Sequence, residues 1–197
     1  MASVGTGATV ALLLHQTDRI GSCGWWPYAN LLAQNGIRAV MLDFCAYGKS
    51  TCDTSRPWAG DYVDQVVRSV AQLRAGGATR VTLVGASIGG TVASLAATPA
   101  KADAVANVSG FGFGSMMTGP SIAALTVPVL GVGSHSEESD SVNLQSQVAG
   151  SASPTKRFVW EESGHGWSLV FDGPFADSPP SAVGRTVMGW VKGDYTI

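Results

Sequence analysis

Short apolar segments alternate along the chain with amphipathic helical patterns, and this alternation constrains the fold more than any other feature. The apolar segments cover residues 9–14, 37–44, 80–84, 102–108, 127–132 and 157–160. Each is nearly continuous in apolar residues, as are strands of a parallel sheet that is covered on both faces. The clearest helical pattern covers residues 61–75, and weaker ones cover residues 25–34, 88–97, 142–149 and 180–192. We therefore predict an α/β fold, with a doubly wound, mostly parallel sheet of about six strands and helices on both faces.

The composition agrees with one folded core and excludes several kinds of partner. Of the 197 residues, 45% are hydrophobic and only 13% are charged, so we expect a single domain over residues 1–197. No basic cluster could neutralise a phosphate backbone, and we predict no nucleic-acid partner. Every apolar run is shorter than the roughly 20 residues that span a bilayer. With no basic region ahead of an apolar one at the start, we predict a cytoplasmic protein without a membrane partner. The oligomeric state stays open.

The chain contains three cysteines, Cys23, Cys45 and Cys52. Their spacing matches no zinc-binding pattern and no histidine cluster accompanies them, so we predict no metal site. One disulfide among the three is compatible with the sequence, which does not decide the pairing.

Residues 81–93 run from an apolar strand through a Gly-x-Ser-x-Gly turn directly into a helix. Gly85 and Gly89 leave room on either side of Ser87, so the hydroxyl is pushed out at the tip of the strand. This order predicts that Ser87 is a nucleophile.

A serine nucleophile needs a base within hydrogen-bond reach, and that base needs an acid to orient it. Among the three histidines, His165 lies in a Gly-His-Gly sequence just after the last predicted strand. The flanking glycines allow the loop to turn the ring inward. His15 ends the first predicted strand, where a structural role is expected, and His135 lies in a polar loop. We therefore predict His165 as the base.

These motifs together resemble the α/β-hydrolase superfamily, in which the nucleophile, the acid and the histidine follow one another in this order along the chain. The matching motifs, in chain order, lie at residues 12–15, 42–50, 85–89, 127–130 and 164–166. The resemblance extends over nearly the whole chain and implies a small, single-domain, serine esterase-like member. It implies no large lid, because the region after Ser109 is short.

By this resemblance the acid belongs in the polar loop at residues 133–142. Counting without gaps from the preceding strand puts Glu137 at or next to the acid position. Asp140 is the alternative, since aspartate is the more usual acid although it requires a longer loop. We prefer Glu137 and keep Asp140 open.

An acyl-transfer site also needs hydrogen-bond donors for the developing oxyanion. The geometry of the turn makes the backbone N–H of Ile88 one donor. The resemblance places the second in the loop after Leu14, at Thr17, with Gln16 as the alternative, because this chain has Gln16 where the family has glycine. Trp167, two residues from His165, is predicted to line the substrate pocket.

The resulting hypothesis is a serine hydrolase that cleaves a small or medium carboxylic ester through an acyl-enzyme, with no metal or organic cofactor. A thioesterase, amidase, lactonase or acyltransferase would use the same triad and stays open. A noncatalytic protein that binds a ligand or another chain is the alternative of a different class. Hydrolytic dehalogenation is disfavoured, because it needs a carboxylate where this chain has Ser87.

Overall fold

The computed structural model describes residues 1–18, 20–51, 58–110, 122–173 and 179–197. Cys52 lies outside the described residues. So do residues 111–121, which make up most of the short region after Ser109. No lid is evident among the residues that are described.

The described residues form a seven-stranded sheet with helices on both sides. The strands are β1 (Ala2–Val4), β2 (Thr9–Leu14), β3 (Arg38–Leu42), β4 (Arg80–Ala86), β5 (Ala104–Val108), β6 (Val129–Ser134) and β7 (Lys156–Glu161). The helices are α1 (Trp26–Gln34), α2 (Trp58–Ala75), α3 (Ile88–Ala96), α4 (Glu138–Ala149) and α5 (Ala182–Lys192). The strand order is β1-β3-β2-β4-β5-β6-β7. All neighbouring strands are parallel except β1, which is antiparallel to β3.

The predicted fold class is confirmed, with one strand more than the sequence indicates. β1 has only three residues, two of them exposed, so it shows neither an apolar run nor an alternating pattern. Its pairing with β3 depends on the free edge that β3 offers, which is a property of the assembled sheet.

Alternate residues of each central strand face opposite layers of helices. In β2, Leu12 and Leu14 pack into the layer formed by α2, α3 and α4. Leu13, between them, packs into the layer of α1 and α5. All three are fully buried. Burial on both faces explains why the strands are continuous in apolar residues rather than alternating.

The chain reverses its direction of winding between β2 and β4. After β2 it crosses to β3 on one side, and it then returns to β4 on the other side of β2. In open parallel sheets, ligand sites lie beyond the carboxyl ends of the strands at this reversal. The segments that follow β2, β4, β5, β6 and β7 all begin at these carboxyl ends.

Two further observations concern membranes and cysteines. Within the described ranges, no helix has both the length and the apolar character needed to cross a bilayer. Cys45 is disulfide-bonded, whereas Cys23 is free and exposed.

Candidate active site

Ser87 occupies the sharp turn between β4 and α3. Its backbone angles are φ 52° and ψ −121°, a combination that costs a non-glycine residue on the order of 1–3 kcal/mol. The neighbouring structure holds this conformation: the Ser87 N–H donates to the Val108 carbonyl at 2.8 Å, and the Ser87 carbonyl accepts from Gly90 N at 2.8 Å. The turn predicted from the sequence is therefore present, and Ser87 is nearly buried within it.

The glycines on both sides of Ser87 permit two close backbone approaches. A β-carbon added to Gly85 would lie 2.0 Å from the Gly89 carbonyl oxygen, and one added to Gly89 would lie 2.4 Å from the carbonyl oxygen of Leu14. No side chain fits at either position. The second approach brings the start of α3 against the end of β2, so the turn and the loop after β2 adjoin.

His165 contacts Glu137 on the neighbouring loop. His165 Nδ1 lies 2.8 Å from each carboxylate oxygen of Glu137, and each side chain is about one-third exposed (34% and 33%). Glu137 ends a short 3₁₀ helix, His135–Glu137, that follows β6 directly. Asp140 is exposed in the first turn of α4. The carboxylate that the structure brings to His165 is therefore the preferred one of the two candidates, and it leaves Nε2 of the ring for proton transfer.

The loop that carries His165 packs against the Ser87 turn. A β-carbon built on Gly166 would lie 3.3 Å from Ala86 Cβ, so the residue after the histidine adjoins the residue before the serine. The two loops are thus adjacent.

Two backbone N–H groups near Ser87 have no acceptor among the residues the structure describes, namely those of Ile88 and Thr17. Ile88 is the first residue of α3, where helical N–H groups point outward and are free to bind an anion. Thr17 is the exposed centre of a tight turn in which Asp18 N donates to the Gln16 carbonyl at 3.0 Å. Their roles as oxyanion donors stay predictions.

The side chain of Gln16 lies in the crevice between the loop after β2 and the His165 loop. Gln16 follows β2, whose last residue, Leu14, pairs with Gly85 just before the Ser87 turn. Gln16 Oε1 lies 1.9 Å from where a β-carbon of Gly166 would stand. The same oxygen is buried without a hydrogen-bond partner in the described part of the chain. The sequence indicates a role for Gln16 only as the alternative oxyanion donor, and no sequence signal indicates where its carboxamide points.

His15 supports the loop that contains Gln16 and Thr17. Its Nδ1 lies 2.7 Å from the Gln16 carbonyl oxygen, and its Nε2 accepts from the Phe44 N–H at 3.1 Å. A ring with one donor and one acceptor nitrogen is neutral. It is fully buried between the rings of Phe44 and Tyr47, and this burial lowers the pKa of His15 below its usual value. The expected structural role fits this geometry.

We expect the stability of the protein to depend on pH through His15. The unfolded chain protonates this ring near its usual pKa of about 6.5, whereas the folded state keeps it neutral to lower pH. Below about pH 6.5 the unfolded state therefore binds more protons, and the free energy of unfolding falls by up to about 1.4 kcal/mol per pH unit. Urea unfolding at several pH values between 7.5 and 5 should show a steeper decline for the wild type than for His15→Gln. Parallel curves for the two proteins would contradict this prediction.

Asp43 connects the loops that follow β2 and β3. Its Oδ1 accepts a hydrogen bond from the Ser22 N–H at 3.0 Å. Partial burial raises the pKa of Asp43, but hydrogen bonds from Ser22 outweigh it and bring the pKa below its usual value. The carboxylate is therefore charged and anchors the loop after β2.

Trp167 packs on the segment that follows β2. A β-carbon on Gly24 would lie 2.5 Å from the indole ring of Trp167, whose ring centroid is 6.4 Å from that of Trp25. The indole is partly exposed and bridges the His165 loop to this segment. Its role in lining a substrate pocket stays a prediction.

The remaining histidine and the cysteines form no further centre in the described parts of the chain. His135 is exposed and stacks on Trp160, with ring centroids 4.7 Å apart. No group of three or more His, Cys, Asp or Glu side chains among the described residues could hold a metal ion.

A model of the alpha/beta hydrolase family matches residues 11–194. Among curated proteins, none matches the sequence.

Solved structures share the architecture at low sequence identity. A predicted CIB-like hydrolase from Thermoplasma acidophilum superposes with a TM-score of 0.65 at 19% identity, covering 93% of this chain and 86% of the other. A serine hydrolase without a lid from Xanthomonas campestris gives 0.58 at 16% identity, covering 81% and 73%. A thioesterase domain of the curacin biosynthetic pathway gives 0.63 at 16% identity, covering 83% and 87%. At these identities the likeness concerns the fold.

Proposed function

Because the chain belongs to the alpha/beta hydrolase family, we propose that it is a serine hydrolase that cleaves small or medium carboxylic esters through an acyl-enzyme. One observation carries the proposal: His165 Nδ1 lies 2.8 Å from Glu137, on a loop that packs against the Ser87 turn. A base held by an acid beside a strained serine is the arrangement that activates a hydroxyl nucleophile.

In the first half of the reaction, Ser87 Oγ attacks the ester carbonyl carbon while His165 Nε2 takes its proton. The Glu137 carboxylate stabilises the imidazolium that forms, and the N–H groups of Ile88 and Thr17 bind the oxyanion. The tetrahedral intermediate collapses as His165 returns the proton to the leaving alkoxide, which departs as the alcohol. The acyl group stays on Ser87.

In the second half, His165 Nε2 takes a proton from a water molecule, whose oxygen attacks the acyl carbon. Collapse of this intermediate breaks the bond to Ser87 Oγ, which recovers its proton from His165. The acid product leaves, and the side chains return to their starting states. This sequence requires no metal or organic cofactor.

We also propose that the protein is cytoplasmic. The disulfide bond at Cys45 argues against that location. Disulfides persist in oxidising compartments and are rare in reducing ones.

A fluorophosphonate probe tests the nucleophile without any assumption about substrate. We expect the intact mass to increase by one adduct, and peptide mapping to place that adduct on Ser87. Heat-unfolded protein is the control, since a serine without its base does not react. A wild-type protein that stays unlabelled would overturn the proposal and favour a noncatalytic binding protein.

The substrate class is tested with p-nitrophenyl esters of two to ten acyl carbons, beside a matched thioester, anilide and lactone. We expect the highest kcat/KM for short or medium esters. A thioester or lactone that is turned over faster than every ester would contradict the ester assignment while leaving the nucleophile in place.

A further inference from the structure

Serine hydroxyls bind both backbone groups of Gly164, the residue immediately before His165. Ser134 Oγ donates to the Gly164 carbonyl oxygen at 2.8 Å, and the Gly164 N–H donates to Ser136 Oγ at 3.3 Å. The two hydroxyl oxygens are 3.0 Å apart. Ser134 is the last residue of β6 and fully buried, whereas Ser136 is exposed and directly precedes Glu137.

Counting protons gives this group of hydrogen bonds a single direction. A hydroxyl carries one proton, and that of Ser134 is engaged with the Gly164 carbonyl. Ser136 is therefore the donor in the contact between the two serines. The hydrogen bonds run from Gly164 N–H to Ser136, from Ser136 to Ser134, and from Ser134 back to the Gly164 carbonyl. Such a closed ring is cooperative, because each bond polarises the next.

The ring is anchored to α4. The hydroxyl of Ser141 donates to the Ser134 carbonyl at 3.1 Å and accepts from the Ser134 N–H at 2.9 Å. Ser141 is itself nearly buried in that helix. Ser134 is thus held on its backbone side while its hydroxyl holds Gly164.

A third serine binds the other side of the histidine. The Gly166 N–H donates to Ser109 Oγ at 3.1 Å. Ser109 follows β5 and has a φ of 55°, close to the 52° of Ser87, which follows the neighbouring strand β4. Both neighbours of His165 are glycines, which have no side chains to pack. Hydrogen bonds to their backbones fix the loop instead.

We propose that Ser134, Ser136 and Ser109 are positioning residues for His165, and we call them the serine frame. The frame fixes the backbone on both sides of the histidine and so holds Nδ1 against Glu137. This inference rests on the proposed function and adds residues that do not touch the substrate. Displacement of a reacting group by 1 Å costs on the order of a hundredfold in rate, so a loosened backbone lowers kcat more than substrate binding.

Alanine variants of the serine frame test this role. We expect Ser134→Ala to lower kcat by about tenfold to a hundredfold and to leave KM within about twofold. Ser136→Ala should act in the same direction, and Ser136→Thr should recover most of the activity, because the exposed position accommodates a methyl group. Ser153→Ala is the matched control. Ser153 is likewise buried and makes two hydrogen bonds to Thr155, at the amino end of β7.

The pH profile separates positioning from general destabilisation. A loosened His165–Glu137 contact changes the geometry of proton transfer, so the acid limb of kcat/KM should move in Ser134→Ala and Ser136→Ala. Loss of folded protein would lower the amplitude without moving the limb. Thermal melting identifies any variant that fails to fold. If Ser134→Ala fails to fold, Ser136→Ala and Ser136→Thr test the frame at an exposed position.

Folded Ser134→Ala and Ser136→Ala proteins with wild-type kcat and an unmoved acid limb would overturn the frame, provided that Ser87→Ala is inactive. If Ser87→Ala were as active as the wild type, the proposed function would be overturned, and the frame with it.

Discussion

Ser87→Ala is expected to lower kcat by a factor on the order of 10⁵ to 10⁶, the scale seen when a serine hydrolase loses its nucleophile. The reason is that Ser87 is the hydroxyl residue of the turn between β4 and α3, where the residue before the serine adjoins the His165 loop. The substitution keeps a side chain with a β-carbon at a φ of 52°, so the turn should persist. Steady-state turnover of p-nitrophenyl butyrate, with the melting temperature measured in parallel, checks this result.

Ser69→Ala is a control for the loss of a serine hydroxyl outside the site. The Ser69 hydroxyl donates a hydrogen bond to the Gln65 carbonyl within α2. Ser69 is buried in α2 and makes this one side-chain hydrogen bond away from the Ser87 turn, so its loss should leave activity within about twofold of wild type. A Ser87→Ala protein that retains more than about a hundredth of wild-type kcat would rule out the acyl-enzyme at this position.

Glu137→Gln is expected to lower kcat by about 10² to 10⁴, with KM little changed. The carboxylate lies 2.8 Å from His165 Nδ1, where it can accept a hydrogen bond from this nitrogen and leave Nε2 as the acceptor that proton transfer requires. A carboxamide can donate to Nδ1 instead, which selects the wrong tautomer, and it does not compensate the charge of the imidazolium. The pH dependence of kcat/KM should change together with the rate.

Asp140→Asn is the matched control for Glu137→Gln, because Asp140 lies three residues away in the same acidic segment but is exposed on α4. We expect its activity to stay within about twofold of wild type. Near-full activity in both variants would remove Glu137 from the triad, whereas a large loss in Asp140→Asn alone would select the other candidate.

The elements of the sheet could be predicted because their signals are local. Strands β2 to β6 each carry enough buried apolar residues to stand out, β7 has a short apolar run that is half-buried, and α2 has a clear apolar face. β1 has no such signal, since three mostly exposed residues pair only because β3 presents an open edge. The turn at Ser87 was predictable for the same local reason, because strand, glycines and helix follow one another directly.

The supporting groups of the site could not be predicted in this way. The register of β2 and β4 brings the loop that contains Gln16 to the same end of the sheet as Ser87, and the Gln16 carboxamide reaches Gly166 from a distant part of the sequence. The hydroxyls of Ser134 and Ser109 look like any other serines in a serine-rich chain. Their importance appears only when the carbonyl and N–H groups of the His165 loop are placed in space.

The α/β architecture, the strand-to-helix turn at Ser87 and the glycine-flanked loop of His165 follow from local sequence, since each depends on residues within a few positions of one another. Which carboxylate contacts the histidine depends on tertiary packing. Glu137 and His165 are 28 residues apart, and a hydrogen bond of 2.8 Å tolerates little displacement. The 3₁₀ turn His135–Glu137 ends β6 with Glu137 facing the histidine, and α4 then carries Asp140 outward. Loop conformation at that scale follows from packing between strands, which the spacing of residues along the chain does not encode.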